Sequence, residues 1–195
     1  MTELKFYTTL KFGWTNTWIL LLTLMLIQFV YMILFREGGK RAVDTSWYRQ
    51  KDKRYAMIST ILQWVILIMS LFIPLRIGTA WFVAGCVLFA IAMAGMIAAF
   101  HAYMNTPQDK PVRRGIYRYS RNPMYFFFIV GVVAACFASA SLWLLILTVL
   151  FVLATHGIIR SEERYCAETY GKDYLDYKKQ VARYFGRRRK LTSSL

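Results

Sequence analysis

The sequence predicts an all-α fold: an integral membrane bundle of five transmembrane helices, the last two forming a helical hairpin, plus a cytosolic C-terminal helix. Three observations carry this. The 195 residues are 57% hydrophobic and 17% aromatic, above the range of soluble domains. The apolar residues fall in blocks about as long as a ~30 Å hydrocarbon core demands of a helix. The 25 lysines and arginines lie between those blocks rather than inside them.

Block one runs from about Asn16 to Phe35, block two from Tyr55 to Leu75 and block three from Ala80 to Met104. The fourth extends from Pro123 to Ile159. A single helix of that length would be about 55 Å long, too long for one crossing. Its middle reads FASASLW, Phe137 to Trp143, small and polar enough to turn, so a tight hairpin competes with one overlong helix. Charge parity decides. Seven basic residues fall in Arg36–Arg54, five in Lys110–Arg121 and ten in Arg160–Lys190, leaving only Lys5, Lys11 and Arg76. Five crossings gather the three basic connectors on one face, with the N-terminus outside and the C-terminus in the cytosol. Four crossings would strand the ten C-terminal charges outside. Trp14, Trp18, Trp81 and Trp143 then fall near the outer interface, where tryptophan is enriched. The first hairpin arm is short for a full crossing.

The net charge of +15 invites a nucleic-acid partner, but the basic residues follow membrane topology and no soluble basic domain exists to hold them. Cys86, Cys136 and Cys166 lack metal spacing and read as small packing residues, so no metal is expected. His101 and His156 stand alone near block ends. The N-terminal stretch MTELKFYTTLKFGW does not read as a signal peptide. One domain is expected over residues 1–195: N-terminal spans in 1–79, a donor-binding catalytic core in 80–186 and a basic tail in 187–195.

After the last block, RSEERYCAETYG continues as helix and stops at Gly171, a suitable residue just past a helix end. KDYLDYKKQVARYF then places Tyr174, Tyr177, Val181 and Tyr184 on one stripe, an amphipathic helix suited to a membrane surface. RRRK, Arg187–Lys190, adds a polybasic anchor.

The chemistry-bearing residues gather at the two feet of the hairpin. At the first, GIYRYSRNPMY, Asn122 is a good N-cap and Pro123 suits the first helical position. That helix start, reinforced by Arg121, is an anion site. At the second, Glu162 and Glu163 follow Arg160, and a cationic ligand with its own carboxylate would fit between the feet.

GIYRYSRNPMY, a hairpin, EERY, then TYGKDYLDYKKQV resembles the isoprenylcysteine carboxyl methyltransferase and phospholipid N-methyltransferase superfamily, over roughly Gly85 to Phe185. The resemblance implies a transferase using S-adenosylmethionine (SAM) as methyl donor and a membrane lipid or lipidated acceptor. It implies that Asp109–Val112 contact the donor, that Tyr117 closes over its nucleoside and that Arg121, Asn122, Pro123, Met124 and Tyr125 line it. Glu162 would face its amino group, and Arg160 lies near a substrate-facing arginine. Asn122 replaces the commoner histidine, and Phe127 stands where many members carry glycine, which would reshape the acceptor tunnel. An amine acceptor arrives protonated and needs a base, Glu162 or Glu163. A carboxylate acceptor needs an arginine to aim it. The tail favours the isoprenylcysteine side and NPMY the phospholipid side, leaving the acceptor open, as it leaves plasma membrane or endoplasmic reticulum. The alternatives are a nicotinamide-dependent sterol-type reductase, set against the Glu-Glu pair and QVARYFG, and a membrane scaffold or transporter. The latter expects ionisable residues inside spans, where Gln28 and Gln63 are the most polar long side chains.

Overall fold

The structure is a computed structural model that describes residues 6–187. Its elements are α1 (Trp18–Leu34), α2 (Arg36–Val43), α3 (Gln50–Ser70), α4 (Ala80–Met104), a 3-10 turn (Gly115–Arg118), α5 (Pro123–Ser139) and α6 (Leu142–Gln180). Among the described residues there are isolated bridges and no strand. Of the five expected crossings, α4 and α6 have the length and hydropathy of a membrane span. Helices α1 and α5 are apolar but shorter, at 17 residues each. Helix α3 has 21 residues but opens on the charged run Lys51 to Arg54.

The fourth block is a hairpin. Ala140 adopts a left-handed conformation (φ 46°) and Ser141 caps α6, its hydroxyl accepting from the Leu144 amide at 3.4 Å. Five helices therefore run alternately between two ends. One end is closed by the N-terminal segment. The Tyr7 amide donates to the Ala140 carbonyl at 2.8 Å, Lys11 to Phe72 at 2.7 Å and Thr17 to Ile73 at 3.0 Å. Asn16 Nδ2 donates to the carbonyls of Lys11 and Leu71, and Trp143 Nε1 to that of Thr8. These bonds satisfy carbonyls that the loop 71–79 and the hairpin turn leave free, as burial of backbone requires. Lys11 and Arg76 share this end, Arg76 stacking over the Tyr7 ring at 3.7 Å. The basic connectors lie at the other end. Lys5 and residues 188–190 of the basic tail lie outside the described residues.

Close packing sets the helix pairs. A Cβ at Gly85 would meet the Ala138 amide nitrogen at 2.4 Å, so α4 and α5 touch backbone to backbone there. Nearly three turns further on, a Cβ at Gly95 would meet the Phe127 ring at 2.2 Å. Phe127 thus points into α4 and fills the space that Gly95 vacates. The reshaped tunnel expected from Phe127 is corrected by this: its ring is buried between two helices and lines neither cavity described below. Helices α3 and α6 join through Ser59 and Thr155 (Oγ to Oγ1, 3.0 Å) and through Asp52, which accepts from Ser161 at 2.6 Å and Arg164 at 2.5 Å.

Gly171 breaks α6, with φ 52° and ψ −129°, a conformation that glycine adopts without strain. The segment beyond it differs from the expected surface helix. Tyr174, Tyr177 and Val181 are buried against Cys166, Ala167 and Tyr170, and the Tyr177 hydroxyl donates to the Tyr117 carbonyl at 2.7 Å. The stripe found partners within its own chain because the break at Gly171 folds the segment back on the hairpin foot.

Gly95→Ala is expected to lower stability by roughly 1–3 kcal/mol through overpacking against Phe127. Gly95→Ala combined with Phe127→Leu is expected to recover part of that loss, a coupling readable by thermal unfolding of the four proteins in detergent. Additive losses would show that the two residues do not compete for one space.

Candidate active site

Two cavities occupy the end where the basic connectors meet. The outer one, about 200 Å³, lies under α2 and the 105–121 loop. The inner one, about 190 Å³, lies between α1, α3, α4, α5 and α6. Ala42, Tyr103, Met124, Tyr125 and Glu162 line both.

Helix geometry explains why two neighbouring glutamates have different surroundings. Successive residues on a helix point about 100° apart and do not face the same partner. Glu163 turns toward the hairpin foot and the tail. It accepts from Arg121 Nη2 at 2.8 Å, Asn122 Nδ2 at 3.0 Å, and Arg183 Nη2 at 3.0 Å. Glu163 and Arg121 side chains are only 2% and 1% exposed. The remaining donors of Arg121 reach the carbonyls of Lys178 (2.9 Å) and Val181 (3.2 Å). The tail hooks on by backbone too: Arg121 donates to Ala182 at 3.0 Å and Gly186 to Tyr119 at 2.6 Å.

This knot changes the expected roles of the first foot. Asn122 sits at the N-cap of α5 and Pro123 at N1, but the Asn122 side chain makes no capping bond and is spent on Glu163 and the Arg183 carbonyl. Arg121 and Glu163 bridge the two feet directly, so ligand space lies beside the bridge, around Glu162.

Glu162 faces the cavities and the Tyr125 hydroxyl, and among the described residues it makes no ion pair. Burial raises its carboxyl above the ordinary glutamate value of 4.5; the Tyr125 hydrogen bond and the charge of Arg41 pull it back only in part. Burial also pushes Glu163 up, but hydrogen bonds from Arg183 and Arg121 and their charges outweigh it, and its net shift is downward. Adjacent carboxyls driven in opposite directions mark a division of roles.

The other expected residues fall as follows. Val112 and Tyr117 are buried and line the outer cavity, as do Arg121, Asn122, Met124 and Tyr125. Pro123 is buried behind them and lines neither cavity. Arg160, two residues before Glu162, projects from the far side of α6 toward Lys51 and His156 and borders neither cavity. The sequence reading missed the roof. Arg41 on α2 donates to the Tyr170 hydroxyl at 2.7 Å, Tyr170 donates to the Gln108 carbonyl at 3.1 Å, and the Arg41 guanidinium covers the Tyr103 ring at 4.9 Å. Trp47 stacks on Tyr165 at 4.6 Å beside it. The basic run around Arg41 reads as topology in sequence, and nothing in it signals a roof.

A family model described as phospholipid methyltransferase matches residues 73–173, just over half of the chain. The match spans α4, the 105–121 loop, the hairpin and the Glu162-Glu163 foot. No curated protein matches the chain.

Glu163→Gln is expected to cost about 3–5 kcal/mol, because Arg121 would keep a buried charge without its partner. The sign of the pH dependence follows from the lowered carboxyl. The Glu163 contribution is fully present above about pH 4.5 and is lost as pH falls through its depressed folded value. Thermal unfolding of both proteins from pH 3 to 7 checks this. A gap between them that does not narrow toward acid would contradict it.

Proposed function

The chain belongs to the phospholipid methyltransferase family, and from that premise we propose that it transfers a methyl group from SAM to the amine headgroup of a membrane lipid. The observation that carries this reading is Glu162: one carboxylate, free of any ion pair, shared by a cavity on the connector side and a cavity inside the bundle. Among the described residues no arginine lines the inner cavity, where a carboxylate acceptor would need one to aim it. An unpaired anion there suits an ammonium instead.

The outer cavity fits SAM by its donor set. Tyr103, Tyr117 and Tyr125 offer ring faces to a cation and to a base, Gln108 and Arg41 offer polar contacts, and Glu162 supplies the opposite charge. Bound there, SAM supplies a methyl group on a sulfonium, transferred by direct displacement when donor and acceptor are aligned and water is excluded. Arg41, Tyr170 and Gln108 roof the space and limit water. Glu162 draws the acceptor ammonium to the junction of the cavities and takes its proton on a carboxylate oxygen, which frees the nitrogen lone pair. Its upward shift makes it a better base than an ordinary glutamate. Tyr125, beside Glu162 on the wall of both cavities, holds back part of that upward shift. Glu163 touches neither ligand in this scheme; with Arg121 and Arg183 it positions the foot that carries Glu162. Arg160, which the resemblance puts near a substrate-facing arginine, would act on the outer surface of α6 at most.

In the bilayer we take α1, α3, α4, α5 and α6 all as crossings, with α2, the 105–121 loop and the tail on the cytosolic side. The short α1 and α5 are supported by neighbours rather than by their own length. With native cysteines replaced, Ser46→Cys is expected to react with a membrane-impermeant thiol reagent from the cytosolic side only. Ile77→Cys is expected to react from the opposite side only. Labelling of both from one side would remove the five-crossing arrangement.

Catalysis has its own test. Purified protein is expected to gain thermal stability with SAM or its demethylated product, and to methylate a phosphoethanolamine lipid. Glu162→Gln is expected to lower turnover at saturating SAM about 10²–10⁴-fold, with partial recovery as pH rises and the amine loses its proton unaided. Unchanged turnover with weakened SAM affinity would confine Glu162 to the donor. Stabilisation by a nicotinamide cofactor and by neither SAM ligand would replace this reading with a reductase.

A further inference from the structure

The inner cavity holds two side chains that its apolar surroundings do not explain. Gln28 on α1 and Gln63 on α3 both line it, among Met96, Phe128 and Phe151. Neither amide forms a hydrogen bond among the described residues, whereas Ser59 and Thr155 on the same wall satisfy each other at 3.0 Å. An amide facing a space within an apolar bundle is costly unless a partner fills that space. Both glutamines also lie outside residues 73–173, on the part of the wall that the family match does not reach.

Their depth can be read along the helices. Thr155, level with Ser59 through their hydrogen bond, lies seven residues along α6 from Glu162, about 10 Å. Gln63 is one turn deeper on α3. Side chains lean toward the N-terminus of their own helix, so Gln63 leans back toward the connectors and Glu162 leans inward. Eleven residues of rise, about 16 Å along the axes, separate Glu162 from Gln63, and the lean of both side chains shortens the gap between carboxylate and amide. Beneath them the lining becomes wholly apolar around Gln63, with Leu21, Met25, Ile66 and Val132.

We infer that Gln28 and Gln63 form a carbonyl-binding subsite that reads the ester linkages of a two-chain glycerolipid while its amine sits at Glu162. In such a lipid about nine or ten bonds separate the amine nitrogen from the two ester carbonyl carbons, roughly 12 Å when extended. Each glutamine amide donates one N–H to one carbonyl oxygen. The subsite rests on reading the inner cavity as the acceptor's. It adds that the enzyme distinguishes lipids below the headgroup, which a carboxylate at the mouth cannot do.

The test compares a diacyl phosphoethanolamine lipid with its dialkyl ether analogue, which keeps headgroup and chains but has no carbonyl. Binding to the purified full chain in detergent, without SAM, is followed by thermal shift over a lipid titration. The diacyl lipid is expected to bind about 10- to 30-fold more tightly, the effect of two neutral hydrogen bonds. Gln28→Met with Gln63→Met keeps side-chain volume and removes both donors. It is expected to bring the ratio to within about twofold by weakening the diacyl lipid and leaving the ether unchanged. Equal binding of the two lipids to the unaltered protein, as when only water meets the amides, would overturn the subsite, and needs no variant to fold. So would a ratio that survives in the variant. A preserved ester preference with no methyl transfer under any condition would overturn the methyltransferase reading and leave the subsite standing. Equal methylation and equal binding of ester and ether would do the reverse.

Discussion

The buried contact between Glu163 and the guanidinium groups of Arg121 and Arg183 holds the rest of this site in place. It joins three segments that are distant in sequence: the start of α5, the middle of α6 and the hook beyond Gly171. Without it the tail keeps its tyrosine packing and its backbone hydrogen bonds to the hairpin foot, but Arg121 would be a buried charge with backbone carbonyls alone. Such a contact is weak evidence for stability, since desolvating its charges offsets much of their attraction. Its larger effect is on geometry. It occupies the hydrogen-bonding groups of Glu163, Arg121 and Asn122, which border the outer cavity, and leaves Glu162 as the carboxylate that faces both cavities.

From that follows the arrangement of the cavities. A site that joins a polar, charged donor to a lipid has to open toward water on one side and toward apolar space on the other. The outer cavity is roofed by Arg41, Gln108 and Tyr170, and the inner one is walled by helices that are otherwise apolar. Their shared wall contains a carboxylate whose charge is disfavoured by burial and only partly offset by the charge of Arg41. A cationic reactant at that point relieves the imbalance. The far end of the bundle, stitched shut by the N-terminal segment and the 71–79 loop, offers no comparable opening among its described contacts.

Much of this could be read from residues. FASASLW gave the hairpin turn, found at Ala140 and Ser141, and Gly171 gave the break in α6. Pro123 gave the start of α5. These are local signals, set by backbone preference. What stayed hidden depends on contacts between distant segments. Asn122 had the identity of a capping residue, yet a buried carboxylate forty-one residues away competes better for its amide. Phe127 suggested a blocked tunnel because Gly95, the residue that receives its ring, lies on another helix. The stripe of Tyr174, Tyr177 and Val181 is amphipathic whether its partner is a membrane or its own chain, and sequence does not separate the two. Arg160 was different: its place two residues from Glu162 on a helix already puts it on another face.

The account turns on the two neighbouring carboxyls being different, one spent on structure and one left for chemistry. Carbon-13 NMR of the protein labelled at the glutamate carboxyls, titrated in detergent, reads this most directly, with Glu162→Gln assigning one resonance. The account expects the resonance lost in that variant to titrate above 4.5, and a second, buried one to stay ionised below it. Two buried carboxyls that titrate together, or a Glu162 resonance that titrates below 4.5, would contradict it.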